Sequence, residues 1–196
     1  EMEGVQPVNG SGPACPLRVK LLTLMFVCDR DHEQVLLGMK KRGFGKGKWN
    51  GFGGKVEPGE SVAQAAVREL QEESGALVEM ADVQTAGLLD FTFDESNEIM
   101  RVFVFRADNY TGEIAETDEM RPQWWSLSEC PFDNMWPDDR YWFPYMWGRR
   151  PFVGSFHFKA DEKTIVTHTI EATTVEHIDT RAREEADRKR AATANS

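Results

Sequence analysis

Runs of apolar residues, interrupted by short polar segments, divide the chain into strands and turns. Residues 19–28 and 34–39 are rich in aliphatic and β-branched residues, and the charged run between them predicts a hairpin. The same pattern predicts further strands at 83–93, 99–105 and 121–126, and a closing hairpin at 152–158 and 164–170. The segment 40–50 is rich in Gly and Lys and predicts a loop.

Two predicted helices interrupt these strands. The first, at 61–74, begins after Pro58 and Gly59 and ends before Gly75, which are typical start and stop signals. The second, at 136–147, begins around Pro137. Strands interleaved with two helices predict an α/β domain in which a mixed β-sheet is packed between α-helices, an α/β/α sandwich.

The two ends of the chain lack this pattern. Residues 1–17 predict a disordered arm, and residues 174–196 predict a charged, disordered tail, with a short helix as the alternative. Five acids and five bases lie between 176 and 190, and nothing in the tail is expected to anchor it to a core. The folded domain is therefore expected at 18–173.

The net charge and its distribution along the chain indicate which classes of ligand the protein can bind. The 196 residues include 23 Lys and Arg against 33 Asp and Glu, a formal net charge of −10. This balance argues against binding a nucleic-acid polymer through a general positive field. Six bases and no acid lie between 34 and 56, so a phosphate-bearing ligand is expected at this local patch, or at a divalent metal.

Cysteine content and hydropathy bear on the cellular compartment. The three cysteines match no metal or redox spacing, which predicts a reducing compartment without disulfides. No apolar run reaches the roughly 18–20 residues of a membrane span, and the N-terminus shows no leader pattern. We expect a cytoplasmic monomer with no membrane partner, and a mitochondrial or nuclear pool as the alternative location.

One helix carries the candidate chemistry. Its positions 62, 65, 66, 69, 70 and 73 share one face, so Glu69 and Glu73 continue an apolar stripe, and Glu72 lies beside them. Burying these carboxylates together is costly unless a cation neutralises them, and Mg²⁺ prefers oxygen ligands. The alternative is a solvated face of glutamates that pair with arginine one turn away.

The residues around these glutamates match a long motif. The pattern G-x5-E-x7-R-E-U-x-E-E-x-G-U, in which U is a bulky aliphatic residue, is matched at Gly54, Glu60, Arg68, Glu69, Leu70, Glu72, Glu73 and Gly75. On this motif the chain is identified as a member of the Nudix hydrolase family, and only the last position, Ala76, departs from it. The resemblance implies a site for Mg²⁺, or Mn²⁺ in its place, with ligands Gly53, Glu69, Glu72 and Glu73. It also implies a salt bridge between Glu60 and Arg68 that braces the loop and helix.

Segments outside the motif resemble one branch of this family, the animal MutT-type enzymes that act on oxidised purine nucleoside triphosphates. The resemblance covers about residues 18–173 and includes the Trp-Pro-Asp-Asp segment at 136–139. It implies that Glu119 completes the metal site and that Glu69, Glu72, Glu73 and Glu119 are catalytic. It implies substrate-binding residues at Thr23, Lys40, Phe44, Asn50, Phe52, Gly53, Gly54, Lys55, Phe91, Phe93, Met100, Trp136, Asp138, Asp139 and Trp142. Lys46 and Lys48 are expected to be solvated.

An aromatic residue beside two carboxylates suggests how a base is bound. Trp136 offers a flat face for a purine, and Asp138 and Asp139 can meet its hydrogen-bonding edge. Adjacent carboxylates facing one ligand disfavour double ionisation, so one can hold a proton and donate a hydrogen bond. Exchange of these states would let one pocket accept both 8-oxoguanine and 2-oxoadenine. Local alternatives are the first turn of a helix for the Asp pair, a turn for Asn50, and core packing for Phe91, Phe93 and Met100.

The resemblance predicts a Mg²⁺-dependent enzyme that cleaves oxidised purine nucleoside triphosphates, chiefly 8-oxo-dGTP and 2-hydroxy-dATP, to the monophosphate and pyrophosphate. Its role would be to remove damaged nucleotides from the pool. One alternative is a Nudix hydrolase for a modified purine triphosphate, a dinucleoside polyphosphate or ADP-ribose. Another is a module that binds nucleotides without catalysis.

Overall fold

The computed structural model describes residues 18–194 and consists of strands and helices in an alternating order. The strands are β1 (Arg18–Asp29), β2 (Gln34–Lys40), β3 (Trp49–Asn50), β4 (Gln84–Phe93), β5 (Glu98–Ala107), β6 (Met120–Ser126), β7 (Phe152–Phe158) and β8 (Ile165–Ala172). The helices are α1 (Val62–Ser74), α2 (Asp139–Trp147) and α3 (Val175–Ala194). Within the described residues, no helix is long and apolar enough to cross a membrane.

The eight strands form one mixed sheet. Its order is β3-β2-β1-β5-β4-β7-β8, with β6 paired to β2. β1 and β5 are parallel, as are β4 and β7, and the predicted hairpins β1–β2 and β7–β8 are present. β3 was expected to be part of a loop, but Trp49 and Asn50 pair with Met39 and Gly38. A two-residue strand is too short to show an alternating pattern.

Each face of the sheet carries its own apolar core. On one face, Trp142 and Met146 of α2 pack with Phe26 of β1. On the other, Leu70 of α1 packs with Met25 of β1, whose side chain points the opposite way from that of Phe26. Helices on both faces of a mixed sheet confirm the predicted α/β fold class.

The ends of α1 are set by local hydrogen bonds. The Ser61 hydroxyl accepts the Gln64 N–H at 3.2 Å, and the Gln64 side chain accepts the Ser61 N–H at 2.8 Å, a reciprocal cap. Gly75 ends the helix with a φ of +78°, and a Cβ there would collide with the Glu113 carbonyl. Ala76 is fully buried in the core, so the one departure from the family motif is still a packing contact.

The C-terminal segment is a docked helix, and the expectation of a disordered, unanchored tail is wrong. Ile178 of α3 is 1% exposed in the core beneath α1, and Asp179 accepts the Thr85 hydroxyl at 3.0 Å. Glu185 forms a buried ion pair with Arg101 of β5, 84 positions away in the chain. Such anchors give little periodic signal, because Ile178 is an isolated apolar residue in a charged segment and Arg101 is distant in the chain. The predicted arm at 1–17 lies outside the described residues.

Candidate active site

A cavity of about 650 Å³ lies between the loop that follows β2, strands β1, β4 and β5, and the start of α2. The predicted substrate-binding residues that line it are Thr23, Lys40, Phe44, Asn50, Gly53, Gly54, Lys55, Phe91, Phe93, Met100, Trp136, Asp138, Asp139 and Trp142, and Glu119 lines it as well. The prediction that Phe52 binds the substrate is wrong, because this residue is fully buried in the core beneath α1, where it pairs with Met25. Sequence reasoning missed Leu89, Val102 and Phe158, which look like ordinary apolar strand residues.

An aromatic pair forms one end of the cavity. The rings of Phe44 and Trp136 stack with centroids 4.8 Å apart and planes 24° from parallel. The Lys48 ammonium lies 4.9 Å from the centre of the Trp136 ring and donates to the Met135 carbonyl at 3.0 Å. Lys48 was expected to be solvated; its partners lie far away in the chain, so no local pattern indicates the contact.

Asp138 and Asp139 lie beside this aromatic pair. Helix α2 begins three residues later than predicted, and the Asp139 carboxylate accepts the Trp136 N–H at 2.9 Å. Asp138 accepts the Trp142 indole N–H, also at 2.9 Å. Burial raises the pKa of Asp138 to about 6, and burial together with the Asp138 charge raises the pKa of Asp139 well above its usual range. At neutral pH the pair therefore resists carrying two negative charges.

We expect Asp138→Asn to increase the stability of the protein at pH 7 by about 1–2 kcal/mol, with little change near pH 4. The folded carboxyl, with a pKa of about 6, holds its proton more tightly than the unfolded one, at 3.8. The stability contributed by this proton is present below pH 4 and lost as the pH rises through 6, whereas Asn is neutral throughout. Urea unfolding between pH 4 and 8 measures the difference.

Asp133→Asn is the matched control for this change. Asp133 is exposed and forms a surface pair with Arg140 at 3.2 Å, so its replacement should leave the pH profile of the wild type unchanged. Parallel pH profiles for the Asp138 and Asp133 variants would contradict the prediction.

Acidic side chains gather at the other end of the cavity. Glu73 is 3% exposed, accepts the Gly53 N–H at 2.9 Å and pairs with the Lys40 ammonium at 3.0 Å. Lys40 also lies 3.6 Å from Glu119, which pairs with Arg42. Burial raises the pKa of Glu73, and the Arg42 hydrogen bond lowers that of Glu119. Lys40 thus connects the cavity to the buried end of α1.

Arg68 organises the remaining glutamates. It donates two hydrogen bonds to Glu60, at 2.8 and 3.1 Å, so the predicted brace between loop and helix is present. The same guanidinium contacts Glu69 at 2.9 Å and Glu72 at 3.1 Å. The Arg68 hydrogen bonds lower the pKa of Glu60, whereas burial raises that of Glu69.

Glycines let the loop lie against its neighbours. A Cβ on Gly53 would collide with the Thr23 backbone, and one on Gly54 would collide with the Glu69 carboxylate. Next to this contact, the Thr23 hydroxyl oxygen is buried without a hydrogen-bond partner among the described residues. A buried hydroxyl that lines a cavity is available to a ligand.

The candidate metal ligands lie among cationic side chains. Over residues 18–194, no group of three or more His, Cys, Asp or Glu side chains is arranged to hold a metal ion. The carboxylates contact Lys40, Arg42 and Arg68 instead. Their donors are all oxygens, and burial disfavours the charges of Glu69 and Glu73, so a cation close to them is stabilising. The residues therefore fit an oxygen-ligated divalent ion that competes with these cationic side chains.

Comparison with known proteins places the chain in a family. The NUDIX domain model matches residues 20–146. An oxidized purine nucleoside triphosphate hydrolase from Danio rerio is 53% identical over 78% of this chain and 94% of that protein, and one from Mus musculus is 47% identical over 77% and 94%. The crystal structure of a MutT protein from Bacillus halodurans matches with a TM-score of 0.68 and 29% identity, over 78% of this chain and 97% of that one. The chain therefore belongs to the Nudix family.

Proposed function

We propose that this chain hydrolyses oxidised purine nucleoside triphosphates, including 8-oxo-dGTP and 2-hydroxy-dATP, to the monophosphate and pyrophosphate. The Danio rerio and Mus musculus relatives are named for this activity. The observation that carries the proposal is a single cavity that joins an aromatic, Asp-lined end to a carboxylate-rich end. A purine and a triphosphate need these two environments at the same time.

The base end suits a purine. Trp136 and Phe44 provide flat apolar faces for the ring, and Asp138 and Asp139 provide one donor and several acceptors for its edge. Asn50 and the unpartnered Thr23 hydroxyl add further hydrogen-bonding groups in the same cavity. We propose that these side chains determine which base the protein accepts.

The carboxylate end suits the phosphates and the reacting water. Lys40 and Lys55 line the cavity and can pair with phosphate oxygens. In the proposed reaction, water attacks the β-phosphorus, and the bond from the β-phosphorus to the oxygen that it shares with the α-phosphorus breaks. The nucleoside monophosphate leaves with that oxygen, and the water oxygen stays on the pyrophosphate. Glu119 and the α1 glutamates are the candidate groups that orient the water and accept its proton.

Nudix hydrolases use divalent metal ions, and we propose Mg²⁺ here, with Mn²⁺ as a substitute. Its proposed ligands are Gly53, Glu69, Glu72, Glu73 and Glu119. When bound, such an ion stabilises the negative charge that develops on the phosphate oxygens. We further propose that the protein acts as a monomer on the free nucleotide pool of the cytoplasm.

The test is a substrate panel with pyrophosphate detection in Mg²⁺. We expect kcat/KM for 8-oxo-dGTP and 2-hydroxy-dATP to exceed that for dGTP and dATP by at least about 100-fold, ~2.7 kcal/mol in transition-state binding. ADP-ribose, a dinucleoside polyphosphate and a methylated purine triphosphate complete the panel. A higher kcat/KM for one of these three than for the oxidised nucleotides would make that compound the substrate instead. Tight nucleotide binding without product would contradict catalysis.

A further inference from the structure

Helix α3 lies outside the residues matched by the family model. It contacts β4 through Asp179 and Thr85, and β5 through Glu185 and Arg101, and both strands line the cavity. On β4 and β5, Leu89 pairs with Val102 and Phe91 with Met100, and all four side chains line the cavity. The pair between them is Asp90 with Arg101. Because side chains alternate across a sheet, this charged pair points to the opposite face, where α3 lies.

A buried charge network joins this pair to α3. The Arg101 guanidinium donates to both oxygens of Asp90, at 2.8 and 2.6 Å, and to Glu185 of α3 at 2.5 Å. The side chains of Arg101 and Glu185 are 8% and 7% exposed, so water does not replace a lost partner easily. Arg188, one turn along α3, contacts Glu185 at 3.1 Å.

The same helix reaches the loop that carries the motif glycines. Lys189 of α3 donates to the Val56 carbonyl at 3.2 Å, two residues after Gly54. Ile178 at the other end of the helix is buried in the core beneath α1. The helix therefore spans from the motif loop to the back of the cavity strands.

We propose that α3 holds the nucleoside-binding strands β4 and β5 in register for substrate, with Glu185 as a positioning residue that acts through Arg101. The charged pair sits between two pairs of cavity residues, so a shift of Arg101 moves Met100 and Val102 on the same strand. The carboxylates of α1 lie on a different element from Met100 and Val102. Loss of Glu185 should therefore weaken nucleotide binding and leave the chemical step intact. This inference rests on the proposed function.

The experiment compares Glu185→Ala with Glu184→Ala in the full chain. Glu184 lies next to Glu185 but is 48% exposed and pairs with Arg181 on the surface. We expect Glu185→Ala to raise KM for 8-oxo-dGTP about 5–10-fold with kcat within twofold of wild type, and Glu184→Ala to change neither. Glu185→Gln should recover most of the loss, because its amide oxygen can still accept the Arg101 N–H.

Two further measurements separate positioning from a general loss of stability. Val35→Ala removes methyl groups from a fully buried residue at the opposite end of β2 from Lys40, and should lower Tm with KM unchanged. Binding of 8-oxo-dGMP, followed by tryptophan fluorescence, should weaken in Glu185→Ala by the same factor as KM. If the wild type is active and Glu185→Ala has an unchanged KM and product affinity, the inference about α3 is wrong and the proposed function still stands. A wild type that hydrolyses no oxidised nucleotide would overturn the proposed function instead.

Discussion

Replacing Glu73 with Gln is expected to lower kcat about a thousandfold, ~4 kcal/mol in transition-state stabilisation, while the fold stays intact. Glu73 is the most buried carboxylate of α1, and it contacts both the Gly53 N–H and Lys40. Gln keeps an oxygen that can accept the Gly53 N–H, but it lacks the charge needed for a metal ion. Steady-state pyrophosphate release measures kcat.

The burial of Glu73 explains why the Glu73→Gln variant is expected to keep its fold. Burial raises the pKa of Glu73, which means that the folded protein disfavours this charge, and removing it should not lower the free energy of unfolding much. Circular dichroism and Tm check this point. Glu79→Gln, at an exposed glutamate just beyond α1, is the matched control and should keep full activity. Activity of Glu73→Gln within tenfold of wild type would remove Glu73 from the catalytic site.

Replacing Asp138 with Asn is expected to change the ratio of kcat/KM between 8-oxo-dGTP and 2-hydroxy-dATP by about 100-fold, ~2.7 kcal/mol. The carboxyl pair can exchange a proton between Asp138 and Asp139 and so present a donor or an acceptor to the base edge. An amide at position 138 cannot take part in this exchange, so it fixes one arrangement of hydrogen-bond donors and acceptors. It therefore suits one of the two bases and leaves the other with an unpaired polar group.

The pH dependence of this ratio provides an independent check. In the wild type the ratio should vary between pH 5 and 7, because the pKa of Asp138 is about 6. In Asp138→Asn the ratio should vary less over the same range. Equal discrimination by the wild type and the variant at every pH would exclude proton exchange as the basis of dual recognition.

The parts of this molecule that can be predicted from sequence are those encoded locally or by strong periodicity. The ends of α1 follow from Ser61 and Gly75, and the burial of Glu73 follows from its place on an apolar face. Family resemblance supplied the cavity residues, including the distant Asp138 and Thr23. None of these inferences required knowledge of the sheet order.

The failures share one cause, which is contact between residues far apart in the chain. The family resemblance implies that Phe52 binds the substrate, yet its side chain fills the core against Met25. The anchoring of α3 is not visible in the sequence, because Arg101 lies 84 positions before its partner Glu185. Local composition does not encode such pairings, so they became visible only in three dimensions.

The parallel pairing of β1 with β5 has a consequence for folding. Leu22 and Val102 are paired although 80 positions separate them, and α1 lies within the chain that connects the two strands. Closing so large a loop before its contacts form is entropically unfavourable, so this central pairing is expected to be a slow, late event. Helix α1, which carries the glutamates, packs through Leu70 against β1, and β5 pairs with β1 on the side away from β2. A nascent chain is therefore expected to have no assembled catalytic site until β5 at 98–107, and after it Glu119, have left the ribosome.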